Sequence, residues 1–201
     1  MCSDMYDGFI NAAKEVFGKK TKIVIDRFHV AKQYRSSFDD VRKKELKRLK
    51  KELADDEYKK LKNIMWIVRK KYTDLKEHEL ETLKLLFKYS PILEMAYVLR
   101  NDLTAIFDEN ISKKKAKTKI NSWIRKVRKS GLTCFDKFIS TLEKLMDEIL
   151  NYFIHRYNSG FVEGLNNKVK VLKRRCYGLL NHENLFRRLH LDMCGYSLFL
   201  S

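Results

Sequence analysis

The chain has 201 residues, 44% apolar and 12% aromatic, which is enough to build a real core and excludes a disordered basic tail. Its 43 Lys and Arg stand against 26 Asp and Glu, a formal net charge of +17 that points to an anionic polymer as partner, nucleic acid first. No apolar run approaches the ~18 residues of a membrane span, and the start lacks the charged-then-apolar form of a signal peptide, so a soluble, intracellular protein without a membrane partner is expected. Four cysteines (Cys2, Cys134, Cys176, Cys194) form no C-x-x-C pair, which argues against a zinc ribbon or a disulfide framework.

With one proline and seven glycines, little interrupts the helical patterning, and a mainly α fold is expected. The exceptions lie at the start. MYDGFINAAKEVF places Phe9, Ala12, Ala13 and Val16 at helical spacing, and KIVID at 22–26 then reads as a short buried strand. A strand of about five residues cannot stand alone, because its backbone groups need neighbours. Met1-Cys2-Ser3-Asp4 reads as the end of another strand whose beginning lies upstream, so the chain is expected to be a fragment.

From about 30 to 90, Leu46, Leu49, Leu53, Leu61, Ile64 and Val68 mark an apolar stripe among dense Lys and Glu. A solvated helical hairpin with intrahelical Glu/Lys pairs is the plainer reading, and DNA contact along its basic face is the other. SPILEMAYVLRNDLTAIFDE is a helix with Ser90 as N-cap and Pro91 at the first helical position. SKKKAKTKINSWIRKVRKS follows, nine Lys or Arg and no acid around Ile120, Trp123, Ile124 and Val127. It is the strongest candidate for phosphate contact, through Lys113, Lys114, Lys115, Lys117, Lys119, Arg125 and Arg128. Gly131 closes this helix, and LTCFDKFISTLEKLMDEILNYFIHRY reads as one further long amphipathic helix.

In NSGFVEGLNNKVKVLKRRCYG, at 158–178, one acid heads a basic helix. At about 100° per residue, Glu163, Asn167, Lys170 and Arg174 fall within about 40° of one direction, and Leu165, Val169, Leu172 and Cys176 lie opposite. One face is thus built to pack. The other lines up a carboxylate, an amide and two cations, as a phosphodiester contact with a metal-holding acid requires; a plainer role for Glu163 is to complement the helix dipole. Lys173 and Arg175 extend the cationic surface. Asp26 and His29 form a D-x-x-H element that either ligates a metal or pins a turn. Asp4 sits where α/β folds commonly display a functional acid.

The order SDMYDGFINAAKEVF, KIVIDRFHVAK, a long helical segment, then NSGFVEGLNNKVKVLKRRCYGLLNHENLFRRL resembles the DDE transposases of the ISL-three insertion-sequence group over nearly the whole chain. The resemblance implies the C-terminal part of an RNase H-like α/β domain interrupted by a large all-α insertion. Residues 1–30 would be partial core, 31–157 the insertion and 158–201 the final core helices. It implies Asp4 and Glu163 as catalytic, metal-binding acids, with Asp26 and His29 in support and Asp26 as the alternative second acid. The family's first aspartate has no match here. The implied cofactor is Mg²⁺ or Mn²⁺ with no small-molecule cofactor. The implied partners are transposon-end DNA and further transposase chains, in a prokaryotic cytoplasm at the nucleoid. The activity implied is DNA cleavage and strand transfer, absent from this chain alone, and the alternative is a non-catalytic DNA-binding or transposase-interacting helical module. A helix-turn-helix regulator fits less well, since LLNHENLFRRLHLDM offers no tight glycine turn before a second helix.

Overall fold

In the computed structural model, which describes residues 1–3, 5–18, 21–70, 72–178 and 181–199, strands β1 (Cys2–Ser3) and β2 (Val24–Ile25) pair in parallel, Cys2 opposite Val24 and Ser3 opposite Ile25. A parallel pair needs a crossover, and α1 (Asp7–Val16) lies within it. Ile23, Val24 and Ile25 are all buried. Successive strand residues point to opposite faces, so both faces of β2 are covered.

The chain is helical from there on: α2 (Arg27–Glu52), α3 (Asp55–Lys59), α4 (Ile64–Ile67), a 3₁₀ turn (Tyr72–Asp74), α5 (Glu77–Tyr89), α6 (Pro91–Asp108), α7 (Lys113–Ser130), α8 (Asp136–Lys144), α9 (Met146–Leu150), α10 (Tyr152–His155), α11 (Gly160–Arg175) and α12 (His182–Phe199). It divides into two compact units, Met1–Tyr157 and Asn158–Ser201. The expected mainly helical class with a short strand pair is what is observed. Among the described residues no helix is long and apolar enough to cross a membrane.

The larger unit is organised around α6. Leu93, Ala96, Tyr97, Leu99, Leu103 and Phe107 are buried on it, and α2, α5 and α7 all pack against it. Polar contacts lock these seams: the Tyr34 and Thr104 hydroxyls share a hydrogen bond of 2.9 Å, and the indole N–H of buried Trp123 donates to the Leu99 carbonyl at 2.7 Å. The start of α6 is as read from sequence. Ser90 is fully buried and accepts from the Leu93 N–H, with Pro91 in the first turn. Its hydroxyl donates to Glu45 of α2, which also holds Arg48 at 2.8 Å; Arg48 in turn donates to the Tyr89 carbonyl at 3.1 Å.

Three expectations need correction. On α1 the buried residues are Ile10 and Ala13, whereas Phe9 and Val16 are 55% and 73% exposed, because only one narrow strip of the helix meets the core. The segment after Gly131 is broken into α8, α9 and α10 rather than being one helix. Ile149, Leu150, Tyr152 and Phe153 are all buried, and the Asn151 amide between them donates to the Ile23 carbonyl at 2.7 Å. A straight amphipathic rod buries one stripe, so covering β2 and packing on α7 requires the axis to turn. The charged region after α2 is likewise no simple hairpin: two short helices and a 3₁₀ turn precede α5, with Asn63 in the left-handed region at φ 64°. Its stripe is otherwise sound, with Leu49, Leu61, Ile64 and Val68 buried and Leu46 and Leu53 packed beside them.

The hydrogen bond from Arg48, with that from Ser90, holds the Glu45 carboxyl below its ordinary value against the opposing effect of burial. A carboxylate depressed on folding stabilises the protein above the unfolded value and loses that contribution as pH falls through the folded one. We therefore expect stability from urea denaturation to fall as pH drops below 4.5, and Glu45→Gln to lower stability at neutral pH while flattening this acid limb.

Candidate functional site

Asp26 lies between β2 and α2. Its N–H donates to the Ser3 carbonyl at 3.0 Å, continuing the ladder, and its Oδ1 accepts from the Phe28 N–H at 2.8 Å as the helix N-cap. The residue is 3% exposed. At the D-x-x-H element the Asp26 side chain thus holds the turn through the Phe28 N–H. His29 lies in the first helical turn, half-buried, its ring edge-on to Phe28 at 5.6 Å. Asp4 follows β1 in sequence and lies outside the described residues.

Glu163 belongs to the smaller unit, in the first turn of α11, where its Oε1 accepts from the Ser159 hydroxyl at 3.2 Å. The helical phase read from sequence is realised. Glu163, Asn167, Lys170 and Arg174 are exposed, while Leu172 is buried with Leu185 and Leu189 of α12, and Leu165 and Val169 pack beside them. Lys173 and Arg175 are exposed as well. Lys168 is instead held to Asp192 at 3.2 Å.

The basic helix α7 is less uniform than its sequence. Ala116, Ile120, Trp123, Ile124 and Val127 form its buried side, and Ser112 and Gly131 cap its ends. Lys119 pairs with Glu109, Lys126 with Asp102, and Arg128 with both oxygens of Glu143 at 2.9 and 3.0 Å; Lys113 donates to Asn151 at 2.7 Å. Lys114, Lys115, Lys117 and Arg125 are exposed and have no carboxylate partner among the described residues. Partners drawn from elsewhere in the fold leave no local pattern, so sequence spacing does not separate the two groups. Arg100 escaped sequence reading for a related reason: within an apolar helical run it looks like a solvent-facing cation, yet it is 6% exposed.

No three His, Cys, Asp or Glu side chains converge among the described residues. Carboxylate oxygen is the right donor for Mg²⁺ or Mn²⁺, and Asp26, with one oxygen committed to its cap, has the other to offer. Burial pushes the Cys134 thiol up to about 11 and raises Cys2 too, with the Asp26 charge adding to the latter.

The described residues thus combine a βαβ start, an acid just past a buried strand and a late helix that exposes one acid with several cations. Comparison gives the class, since residues 1–189 match the family model described as transposase, of the ISL3 group. The chain belongs to the ISL3 transposase family. It is 28% identical over 177 residues to the transposase for insertion sequence element IS1001 of Bordetella parapertussis, covering 88% of this chain and 43% of that protein. It is 22% identical over 138 residues to the transposase for insertion sequence element IS1557 of Mycobacterium tuberculosis, covering 69% and 31%. The chain thus spans less than half the length of these curated relatives. No solved structure matches it significantly.

The two roles of Asp26 separate by substitution. Asp26→Asn keeps an oxygen for the Phe28 N–H, so stability should stay close to that of the unchanged chain, whereas Asp26→Ala should cost about 1–2 kcal/mol in denaturant unfolding. Equal losses for both variants would show that the charge, not the cap, is what the fold needs.

Proposed function

We propose that this chain is the C-terminal portion of a DDE transposase catalytic domain, with Asp4 and Glu163 as two of its acids and Asp26 and His29 in support. Residues 1–30 are then part of an RNase H-like core, 31–157 a helical insertion and 158–201 the closing helices. The observation that carries the reading is α11, which exposes Glu163, Asn167, Lys170 and Arg174 together and buries Leu172 opposite. Parallel β1–α1–β2 connectivity supports the core assignment, and Asp26 stands at the carboxyl end of its strand, where open α/β sheets place functional groups. The family match supports the class.

The chain's own residues have clear tasks in this reading. Lys170, Arg174 and the neighbouring Lys173 and Arg175 hold backbone phosphates, Asn167 donates from its amide, and the Ser159 hydroxyl fixes one Glu163 oxygen while leaving the carboxylate at the surface. Asp26 fixes the junction of strand and helix. The Mg²⁺ or Mn²⁺ of the family would require carboxylates beyond those the described residues bring together.

Because the family's first aspartate has no match in these 201 residues, the isolated chain should bind DNA without cutting it. In a gel assay with Mn²⁺ and transposon-end DNA we expect shifted bands and no strand cleavage. Cleavage abolished by Glu163→Gln would overturn the inactivity and keep the acid assignment; cleavage that survives the substitution would overturn both.

Binding should be sequence-tolerant and governed by the unpaired cations of α7 and α11. Affinity measured by fluorescence anisotropy is expected to fall about 10²- to 10³-fold between about 50 and about 200 mM salt. Replacing Lys114, Lys115, Lys117 and Arg125 by Gln should flatten that dependence, and an affinity indifferent to salt would sink the electrostatic picture.

A further inference from the structure

Beside the α2–α6 seam the larger unit opens a cleft of about 610 Å³, whose lining holds the cations Lys32, Arg35, Arg69, Lys70 and Arg100 against a single carboxylate, Asp39. That carboxylate is already spent: Arg42 lies 3.0 Å and Arg69 2.9 Å from its oxygens. Burial alone would raise the Asp39 pKa, but these two guanidinium groups outweigh it and hold the acid below its usual range. Lys70 is engaged by Glu79 at 2.6 Å. Three positive charges in the lining therefore lack a carboxylate partner among the described residues: exposed Lys32 and Arg35, and buried Arg100.

Arg100 makes this more than a patch of surface lysines. Its guanidinium lies over the rings of Phe38 and Tyr97, at 4.7 and 4.6 Å from their centres. It donates to the Val68 carbonyl from Nη1 and to Asn101 Oδ1 from Nε and Nη2. Those contacts use three of the about five N–H groups a guanidinium offers. Burial, and after it the nearby Arg35 charge, work against its charged form, whereas Tyr97, Tyr34 and Asp39 work in its favour. At the same cleft Phe28 presents a ring that is 57% exposed.

We propose that this cleft holds a phosphate of a DNA strand between Lys32, Arg35 and Arg100, with the Phe28 ring as a stacking surface for an unpaired base. Cations that track the backbone beside an exposed aromatic ring are the standard elements of single-strand recognition. The proposal rests on the reading of the chain as a DNA-handling protein, and it adds a contact surface to those proposed on α7 and on α11.

The test measures binding of the whole chain to a labelled single-stranded oligonucleotide and to its duplex, with Lys32→Gln/Arg35→Gln and Phe28→Ala variants whose circular dichroism matches the unchanged protein. The double variant is expected to lose about tenfold or more in single-strand affinity and to lower the salt slope by about two. Phe28→Ala should weaken single-strand binding and spare duplex binding. Single-strand binding by the double variant equal to that of the unchanged chain would overturn the proposal. So would inorganic phosphate raising the melting temperature of the unchanged chain but not of the double variant while DNA binding stays the same, since the cleft would then serve a free anion. An unchanged chain that binds no DNA overturns this inference together with the function it rests on, whereas binding lost only on substituting α7 or α11 overturns this inference alone.

Discussion

The larger unit depends on burying α6 between helices that carry strong positive charge. Its apolar residues Leu93, Ala96, Leu99, Leu103 and Phe107 supply the cohesion, an undirected gain that scales with apolar area. Its acids supply the alignment. Asp108 pairs with Arg27 of α2 and Asp102 with Lys126 of α7, while Glu109, just past the helix end, pairs with Lys119. Two cationic helices are thus tied to one apolar helix whose paired carboxylates lie toward its C-terminal half. On α7 the cations left without a carboxylate partner among the described residues after these pairings include the exposed Lys114, Lys115, Lys117 and Arg125.

Legibility in the sequence followed the range of the interaction. Ser90, Pro91 and Gly131 were readable because a cap is satisfied within a few residues of itself, and the sides of α11 were readable because helical phase is local arithmetic. The buried strand was recognisable from its β-branched run, but its length was not, since pairing ends where the Asp26 side chain turns to capping. Which side of α1 is buried, where the chain after Gly131 bends, and which lysines find acids are decided by distant segments: Ile23 meets Asn151, and Arg128 meets Glu143. Apolar periodicity predicts that a face is buried; it does not say whether Ile10 or Phe9 reaches the core. For the candidate site, the exposed line on α11 was legible and the burial of Asp26 was not. Asp4 lies outside the described residues.

Family membership and geometry weigh differently on Asp26. The function proposed above makes Asp26, just past a strand end, a candidate for chemistry. The structure gives this one a structural duty, since a backbone N–H at the start of a 26-residue helix has Asp26 as its acceptor. A carboxylate with two oxygens can serve a cap with one and something else with the other, so the duties are compatible. They differ in what each tolerates: a cap accepts an amide, whereas an ion-binding acid requires the charge.

The acids that answer Lys119, Lys126 and Arg128 have a consequence for encounters with any polyanion. An unpaired lysine is attended by mobile ions from solution, and an arriving phosphate expels them with a gain in their freedom. A lysine beside Glu109 or Asp102 is attended by an ion covalently fastened to the protein, which cannot diffuse away when displaced. Such tethered anions are occupants that a nucleic acid must outbid without entropic reward. They divide one uniformly basic stretch of sequence into receptive and guarded positions, with Lys114, Lys115, Lys117 and Arg125 on the receptive side.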